Sequence, residues 1–355
     1  MKVLIIQQKM IGDVLLSTIL CKNLKLWNPE ITVDFVANRH TLDVIKGNPY
    51  IDNIIVFEES FKKNKLKFLR FLIRFRKKKY DFLIDAYGKS ESNLITLFTS
   101  AKKKIAYYKY YTQFFYTHPL LIVKETKGLQ LSVIHRFSLL EPIIGDFKKV
   151  SDYDIFLSEI EIEITRKKIE VEIGKEEKII MISAMGSSWE KSYPLKYMAK
   201  LIDTAHEKTH ANIILNFMPD QKNHINKLIE MVSEKTKTAI SLSLTPKSLR
   251  DYMATCFHCF AVIGNEGGAI NIAKGLSKPT FAVFSPLVNP NGWHTEIPFK
   301  NMAVHLNDFF PNEVEHDNHK KLRKNPKYLF DLYLKLKPSL FETELSNFLK
   351  NAVKS

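Results

Sequence analysis

Cysteine is scarce: the 355-residue chain holds three, Cys21, Cys256 and Cys259. Usage this low suits a reducing compartment. Cys256-Phe-His-Cys259 has the spacing of half a zinc site, but no second half with comparable spacing exists, so the pair reads as two small residues near a helix end. Long apolar runs are missing as well. Nowhere do ~18 uncharged apolar residues follow one another, as a spanning helix requires. The run at 3–6 is too short for a signal-peptide core and no small-residue cleavage site follows it. A cytoplasmic protein is expected. There is no repeat at a solenoid period and no low-complexity tract. Acidic residues are in deficit, 38 Asp and Glu against 53 Lys and Arg, leaving a formal charge of +15. That excess points to nucleic acid, anionic lipid or a phosphorylated substrate. Nucleic acid is disfavoured, because no helix-turn-helix, zinc-finger or aromatic–basic RNA-binding pattern appears.

What is present is strand–helix alternation, twice over. Residues 3–6 predict a buried parallel strand and 14–27 a helix with Leu16, Ile19, Leu20, Leu24 and Trp27 on one face. Strands at 31–36, 53–57 and 82–85 follow, with a short helix from Thr41. A charged segment at 159–177 reads as a connector or surface helix. Strands at 178–183, 212–216, 239–242, 260–263 and 280–284 then alternate with helices at 195–208, 222–235, 246–256 and 269–276. Residues 328–353 predict closing helices broken near Pro338. The expected fold class is α/β: two Rossmann-like domains with parallel sheets facing across a cleft, over residues 1–160 and 177–325, closed by 326–355. Ligands of such sheets bind beyond the carboxyl ends of the strands.

Three strand-to-helix loops carry chemistry. In Gln7-Gln8-Lys9-Met10-Ile11-Gly12-Asp13, Gly12 suits a tight turn. Asp13 fits either a helix N-cap or a general base for an acceptor hydroxyl. In the segment from Ser183 to Pro194, Gly186, Ser187 and Ser188 let amides approach a phosphate, although turns use the same residues. Lys191 supplies a point charge that would neutralise a leaving diphosphate without a metal. In Gly264-Asn-Glu-Gly-Gly268, Gly267 and Gly268 expose amides at a helix N-terminus, while Glu266 and Asn271 suit sugar hydroxyls. The spacing is not the dinucleotide fingerprint.

With these segments in view, the chain resembles glycosyltransferase family 9, the ADP-heptose:lipopolysaccharide heptosyltransferases and their relatives. The opening KVLIIQQKMIGDVLLST, Tyr80-Asp-Phe-Leu-Ile-Asp85, His135-Arg-Phe-Ser-Leu-Leu140, Met218-Pro-Asp-Gln221 and Gly264 to Pro279 carry the resemblance almost end to end. It implies a GT-B fold and inverting, metal-independent transfer of heptose from ADP-heptose to a lipid A-core glycolipid. No cofactor is implied beyond the nucleotide sugar. Asp13 would be the base. Ser187, Ser188, Lys191, Glu266, Gly267, Gly268 and Asn271 would bind the donor in the second domain, and the first domain would bind the acceptor. Glu266, Gly267 and Asn271 stand where the family has Asp, Thr and His. An extra methylene displaces the carboxylate by ~1.5 Å, so a different nucleotide-sugar donor is the first alternative. A GT-B-fold epimerase or nucleotide-sugar binder is the second.

Residues 61–79 hold ten Lys or Arg and no acid. At 100° per residue Lys63, Lys67, Arg70, Arg74, Lys77 and Lys78 share a face, with Leu66, Leu69, Phe71, Leu72, Ile73 and Phe75 on the remainder. Such a helix either lies on an anionic membrane or packs its apolar side on the sheet. The expectation is an enzyme peripheral on the cytoplasmic face of the inner membrane, with a monomer as the default.

Overall fold

The structure, a computed structural model, describes residues 1–124, 129–311, 313–314, 322 and 324–354. It divides into two compact units, Met1–Phe156 and Leu157–Ser355.

The first unit runs β1 (Lys2–Ile6), α1 (Ile11–Trp27), β2 (Thr32–Asn38), β3 (Asn53–Phe57), α2 (Ser60–Lys63), α3 (Lys65–Lys77), β4 (Lys79–Asp85), α4 (Ser90–Phe98), β5 (Ser100–Tyr107), β6 (His118–Leu120) and α5 (Leu131–Ile144). All strand pairings are parallel, in the order β3-β2-β1-β4-β5-β6. Central β1 is apolar from residue 3 to residue 6 and fully buried, as a parallel strand covered on both faces must be. Strands β5 and β6 escape the sequence pattern because Lys102, Lys103 and Lys104 interrupt the apolar signal of β5, and β6 is three residues long.

The second unit runs α6 (Glu159–Ile173), β7 (Ile179–Ser183), α7 (Leu195–Thr209), β8 (Asn212–Asn216), α8 (Lys222–Met231), α9 (Glu234–Lys237), α10 (Leu249–His258), β9 (Ala261–Asn265), α11 (Gly268–Gly275), β10 (Thr280–Val283) and β11 (Asn301–Val304). Its parallel order is β11-β10-β9-β7-β8. The segment read as a connector or surface helix forms a surface helix, α6, that packs within this unit: Arg250 of α10 forks onto Glu161, and His258 bonds the Ile162 carbonyl. Helices Pro326–Lys335 and Glu342–Ala352 add Leu329, Leu332, Tyr333, Leu345 and Phe348 to the core.

The expected strand at 239–242 does not form. One bridge, Ile213 to Ile240, is all that pairs there. Ile240 closes a turn on the Lys237 carbonyl, and Leu242–Leu244 winds into a 3₁₀ turn, so the chain leaves the sheet edge before a second residue can pair. The expected helix at 222–235 likewise ends at Met231; Ser233 caps a separate helix, α9.

Candidate active site

In the second unit, four loops at the carboxyl ends of β7, β8, β9 and β10 converge. The staple is Asn265, the last residue of β9, which is buried. Its side-chain oxygen accepts from the Tyr193 amide (2.6 Å), and its amide nitrogen donates to the carbonyls of Ser183 (3.1 Å) and Ala184 (3.0 Å). Gln221, after β8, donates to the Gly186 carbonyl at 2.9 Å, and Ser285, after β10, donates to the Glu190 carbonyl at 2.8 Å. Each bond pairs a backbone group of the Ser183–Tyr193 segment, at a net of about 0.5–1.5 kcal/mol apiece.

Gly186 is where the lysine loop folds back on itself: a Cβ there would stand 2.2 Å from the Lys191 carbonyl oxygen. The result sets Lys191 Nζ 3.4 Å from Glu266 Oε1, with only 9% of the Glu266 side chain exposed. Gly267, at φ +147°, turns the chain from β9 into α11 in a conformation that L side chains avoid. Gly268 then opens the helix, whose first amides have no intrahelical acceptor. Asn271 follows one turn on, half-buried. Ser187 and Ser188 are exposed; Ser188 contributes its carbonyl, which accepts from the Lys191 amide and the Ser192 hydroxyl. Asn265, Ser192 and Gln221 escaped assignment because a neutral residue that buttresses a loop leaves no periodic or charge signal.

The first unit corrects the N-cap expectation for Asp13. Helix α1 starts at Ile11, so Gly12 and Asp13 lie inside its first turn, and the positive-φ turn residue is Met10 (φ +62°). The Asp13 carboxylate is instead held through space: Oδ1 accepts from Arg136 Nη2 at 2.9 Å. Arg136, on α5, is 6% exposed and also reaches the Ser17 hydroxyl and the Ser132 carbonyl. Oδ2 of Asp13 accepts no hydrogen bond from the described residues. The Tyr107 and Ser132 hydroxyls, both buried, lack partners close to this pair; burial pushes the Tyr107 phenol up to about 12. Arg136 lies within the mid-chain His-Arg motif, but nothing in the sequence joins residues 13 and 136.

The basic stretch also needs correction. Asn64 interrupts it and caps α3 by accepting from the Lys67 amide (2.9 Å). Lys63 therefore sits on the separate, one-turn α2, out of register with Lys67, Arg70 and Arg74. Lys78 lies beyond the helix and pairs with buried Asp34 at 3.3 Å. Phe71, Leu72 and Phe75 pack on the sheet, whereas Leu66, Leu69 and Ile73 are exposed.

Among the described residues no group of three or more His, Cys, Asp or Glu is placed to hold a metal. Cys256 and Cys259 are buried, and burial pushes the Cys256 thiol up to about 12.

Two Rossmann-like units, each built on a parallel sheet, make this an α/β protein of GT-B type. The chain belongs to glycosyltransferase family 9 (heptosyltransferase), whose sequence profile matches residues 68–324, and it is a glycosyltransferase. It is 22% identical over 298 residues to lipopolysaccharide heptosyltransferase 1 of Campylobacter coli, covering 80% of this chain and 84% of the relative. Among solved structures it resembles a family 9 glycosyltransferase from Veillonella parvula (TM-score 0.74, 16% identity, 92% of this chain and 96% of that one). It also resembles E. coli heptosyltransferase WaaC, solved with ADP-2-deoxy-2-fluoro heptose (TM-score 0.66, 19% identity, 86% and 93%).

Proposed function

We propose that the protein is an inverting, metal-independent glycosyltransferase that moves heptose from ADP-heptose onto a lipopolysaccharide or lipooligosaccharide core acceptor. The observation that carries this is the stapled cluster of the second unit, which offers a lysine, a nearly buried carboxylate and a glycine-opened helix N-terminus at the carboxyl end of a Rossmann sheet. A nucleotide sugar asks for that combination: a cation and free amides for the diphosphate, an acceptor for sugar hydroxyls. The family's description and the ADP-2-deoxy-2-fluoro heptose held by WaaC support the reading of ADP-heptose as donor.

In this reaction Asp13 takes the proton from the acceptor hydroxyl, and the acceptor oxygen forms a bond to the anomeric carbon. The bond from that carbon to the diphosphate breaks, its electron pair leaving with the diphosphate, where Lys191 stabilises the developing charge. Attack opposite the leaving group inverts the centre. A different donor is the second candidate, favoured by Glu266, Gly267 and Asn271. Release of nucleotide diphosphate that depends on the glycolipid acceptor supports transfer and counts against an epimerase or a simple binder.

For the membrane partner, the outer face of α3 presents Leu66 (71% exposed), Leu69 and Ile73 as a ridge opposite the packed face. Lys67, Arg70 and Arg74 flank it on one side and Lys65 and Arg76 on the other, with no acid on the helix. Exposed Leu94 and Leu97 lie on α4, the neighbouring helix over the same sheet face. An apolar ridge between basic flanks suits an anionic lipid surface. At about 1 kcal/mol per basic residue, the triple variant Lys67→Ala/Arg70→Ala/Arg74→Ala should bind anionic vesicles roughly 100-fold more weakly in co-sedimentation. Equal binding of wild type and variant would reject this face.

A further inference from the structure

Among the described residues of the second unit, the buried side-chain atoms that lack a hydrogen-bond partner include Glu266 Oε1 and His294 Nε2. Lys274 relates them. Gly267, Asn271 and Lys274 succeed one another at i, i+4 and i+7 along one face of α11, and a helical lysine side chain leans back toward the N-terminus. Its ammonium lies 3.4 Å from His294 Nδ1, and the Glu266 carboxylate acts on its charge. Burial, helped by that ammonium, lowers His294 to about 3, so the ring is neutral at any working pH. A neutral imidazole has one donor and one acceptor nitrogen, and an ammonium can only donate. Nδ1 is therefore the acceptor, and the hydrogen resides on the unpartnered Nε2.

The cluster thus holds one unused N–H donor and a carboxylate whose Oε1 faces the Lys191 ammonium without a hydrogen bond, the pair of groups that recognises hydroxyls. It also holds two cations around one acid. Once Lys191 engages a diphosphate, Glu266 needs another counter-charge, because an uncompensated buried carboxylate is strongly disfavoured. We propose that His294 and Glu266 bind hydroxyls of the transferred sugar, and that Lys274 is a positioning residue that holds His294 in its Nε2–H form and balances Glu266 when Lys191 turns to the diphosphate. This rests on the second unit's being the donor site. It defines the substrate class as a nucleotide sugar whose sugar is neutral, since Glu266 would repel a carboxylated one.

The titratable groups beside Lys274 and on the neighbouring elements make its pH signature legible. Glu266 comes from the β9–α11 loop, with Lys191 beyond it, and His294 from the loop after β10. Tyr333, on helix Pro326–Lys335, is kept protonated by burial, and Tyr252 of α10 donates to the Ala269 carbonyl. Burial lowers Lys274 itself to about 8, against the opposing pull of Glu266. The protonated form is the one that serves, so sugar recognition is present below that pH and lost above it.

Calorimetric titration with ADP and with ADP-heptose tests the proposal. His294→Ala and Lys274→Met should each weaken ADP-heptose about ten-fold, the loss of roughly one hydrogen bond, while ADP changes less than about two-fold. His294→Gln, which restores an N–H donor, should recover most of the affinity. The wild-type preference for ADP-heptose over ADP should decline above about pH 8, and Lys274→Met should show no such decline. Equal weakening of both ligands, unchanged affinity for both, or failure of His294→Gln to recover would overturn the sugar subsite alone. Absence of ADP binding to the wild type would instead remove the donor site, and this proposal with it.

Discussion

Asp13→Asn should reduce sugar transfer by about three orders of magnitude, within the 10²- to 10⁴-fold range of general-base catalysis, and should leave nucleotide affinity within about two-fold. Asparagine suits the test because its side-chain oxygen can still accept from Arg136, so the guanidinium keeps a partner and α5 keeps its seat on α1. Alanine would leave a buried arginine unpaired and confound chemistry with folding. The arrangement also assigns work to each carboxylate oxygen. Oδ1 is engaged by Arg136, which fixes the side chain; in the proposed reaction Oδ2 takes the proton of the acceptor hydroxyl. Initial rates and nucleotide binding measured on the same preparation separate the two effects. Near-normal turnover in the variant would show that another group takes the proton.

Lys191→Met should weaken binding of the nucleotide diphosphate by roughly ten- to a hundred-fold, the ~1.5–3 kcal/mol typical of a hydrogen bond to a charged group. Transfer should slow in parallel, since the charge it neutralises grows as the leaving group departs. Part of any fall in stability comes from Glu266, nearly buried and deprived of a cation 3.4 Å away. The companion variant Lys191→Met/Glu266→Gln removes that carboxylate charge. Stability should rise toward wild type in the double variant while nucleotide affinity stays low. A thermal-shift panel of ADP, UDP, GDP and CMP reads both, and also reports which nucleotide the site selects. An unchanged shift with Lys191→Met would take the diphosphate away from this lysine.

Much of the architecture was legible in the sequence because buried parallel strands announce themselves. The apolar runs of β1, β7 and β9 are continuous, those of β7 and β9 are followed by glycine-bearing loops, and central strands tolerate little else. Edges were harder. The run at 239–242 has strand composition, yet only Ile240 pairs, because local turns before and after it claim the backbone. Strand β5 runs for eight residues and sets six of them in register with β4 despite its three consecutive lysines, through backbone bonds that composition does not report.

Within each unit the charged candidates stood out while their partners did not. Asp13, Lys191 and Glu266 have chemistry that a reader of sequence looks for. Arg136 stands 123 positions from Asp13 and becomes meaningful only when α5 packs on α1. Asn265 was visible as one letter of a glycine-rich motif, but its three bonds reach back to 183, 184 and 193. The wheel drawn through the basic stretch went wrong at Asn64, whose cap restarts the helix and puts Lys63 out of phase.

Acceptor-dependent turnover is the most direct measurement. The purified chain is incubated with ADP-heptose, with and without a lipid A-core glycolipid, while ADP release and glycolipid mass are followed together. Family 9 transfer predicts that ADP appears only when the glycolipid is present, and that the glycolipid gains one heptose for each ADP released. ADP-heptose consumption that is indifferent to the glycolipid, or a glycolipid that gains no sugar from any nucleotide-sugar donor, would contradict it.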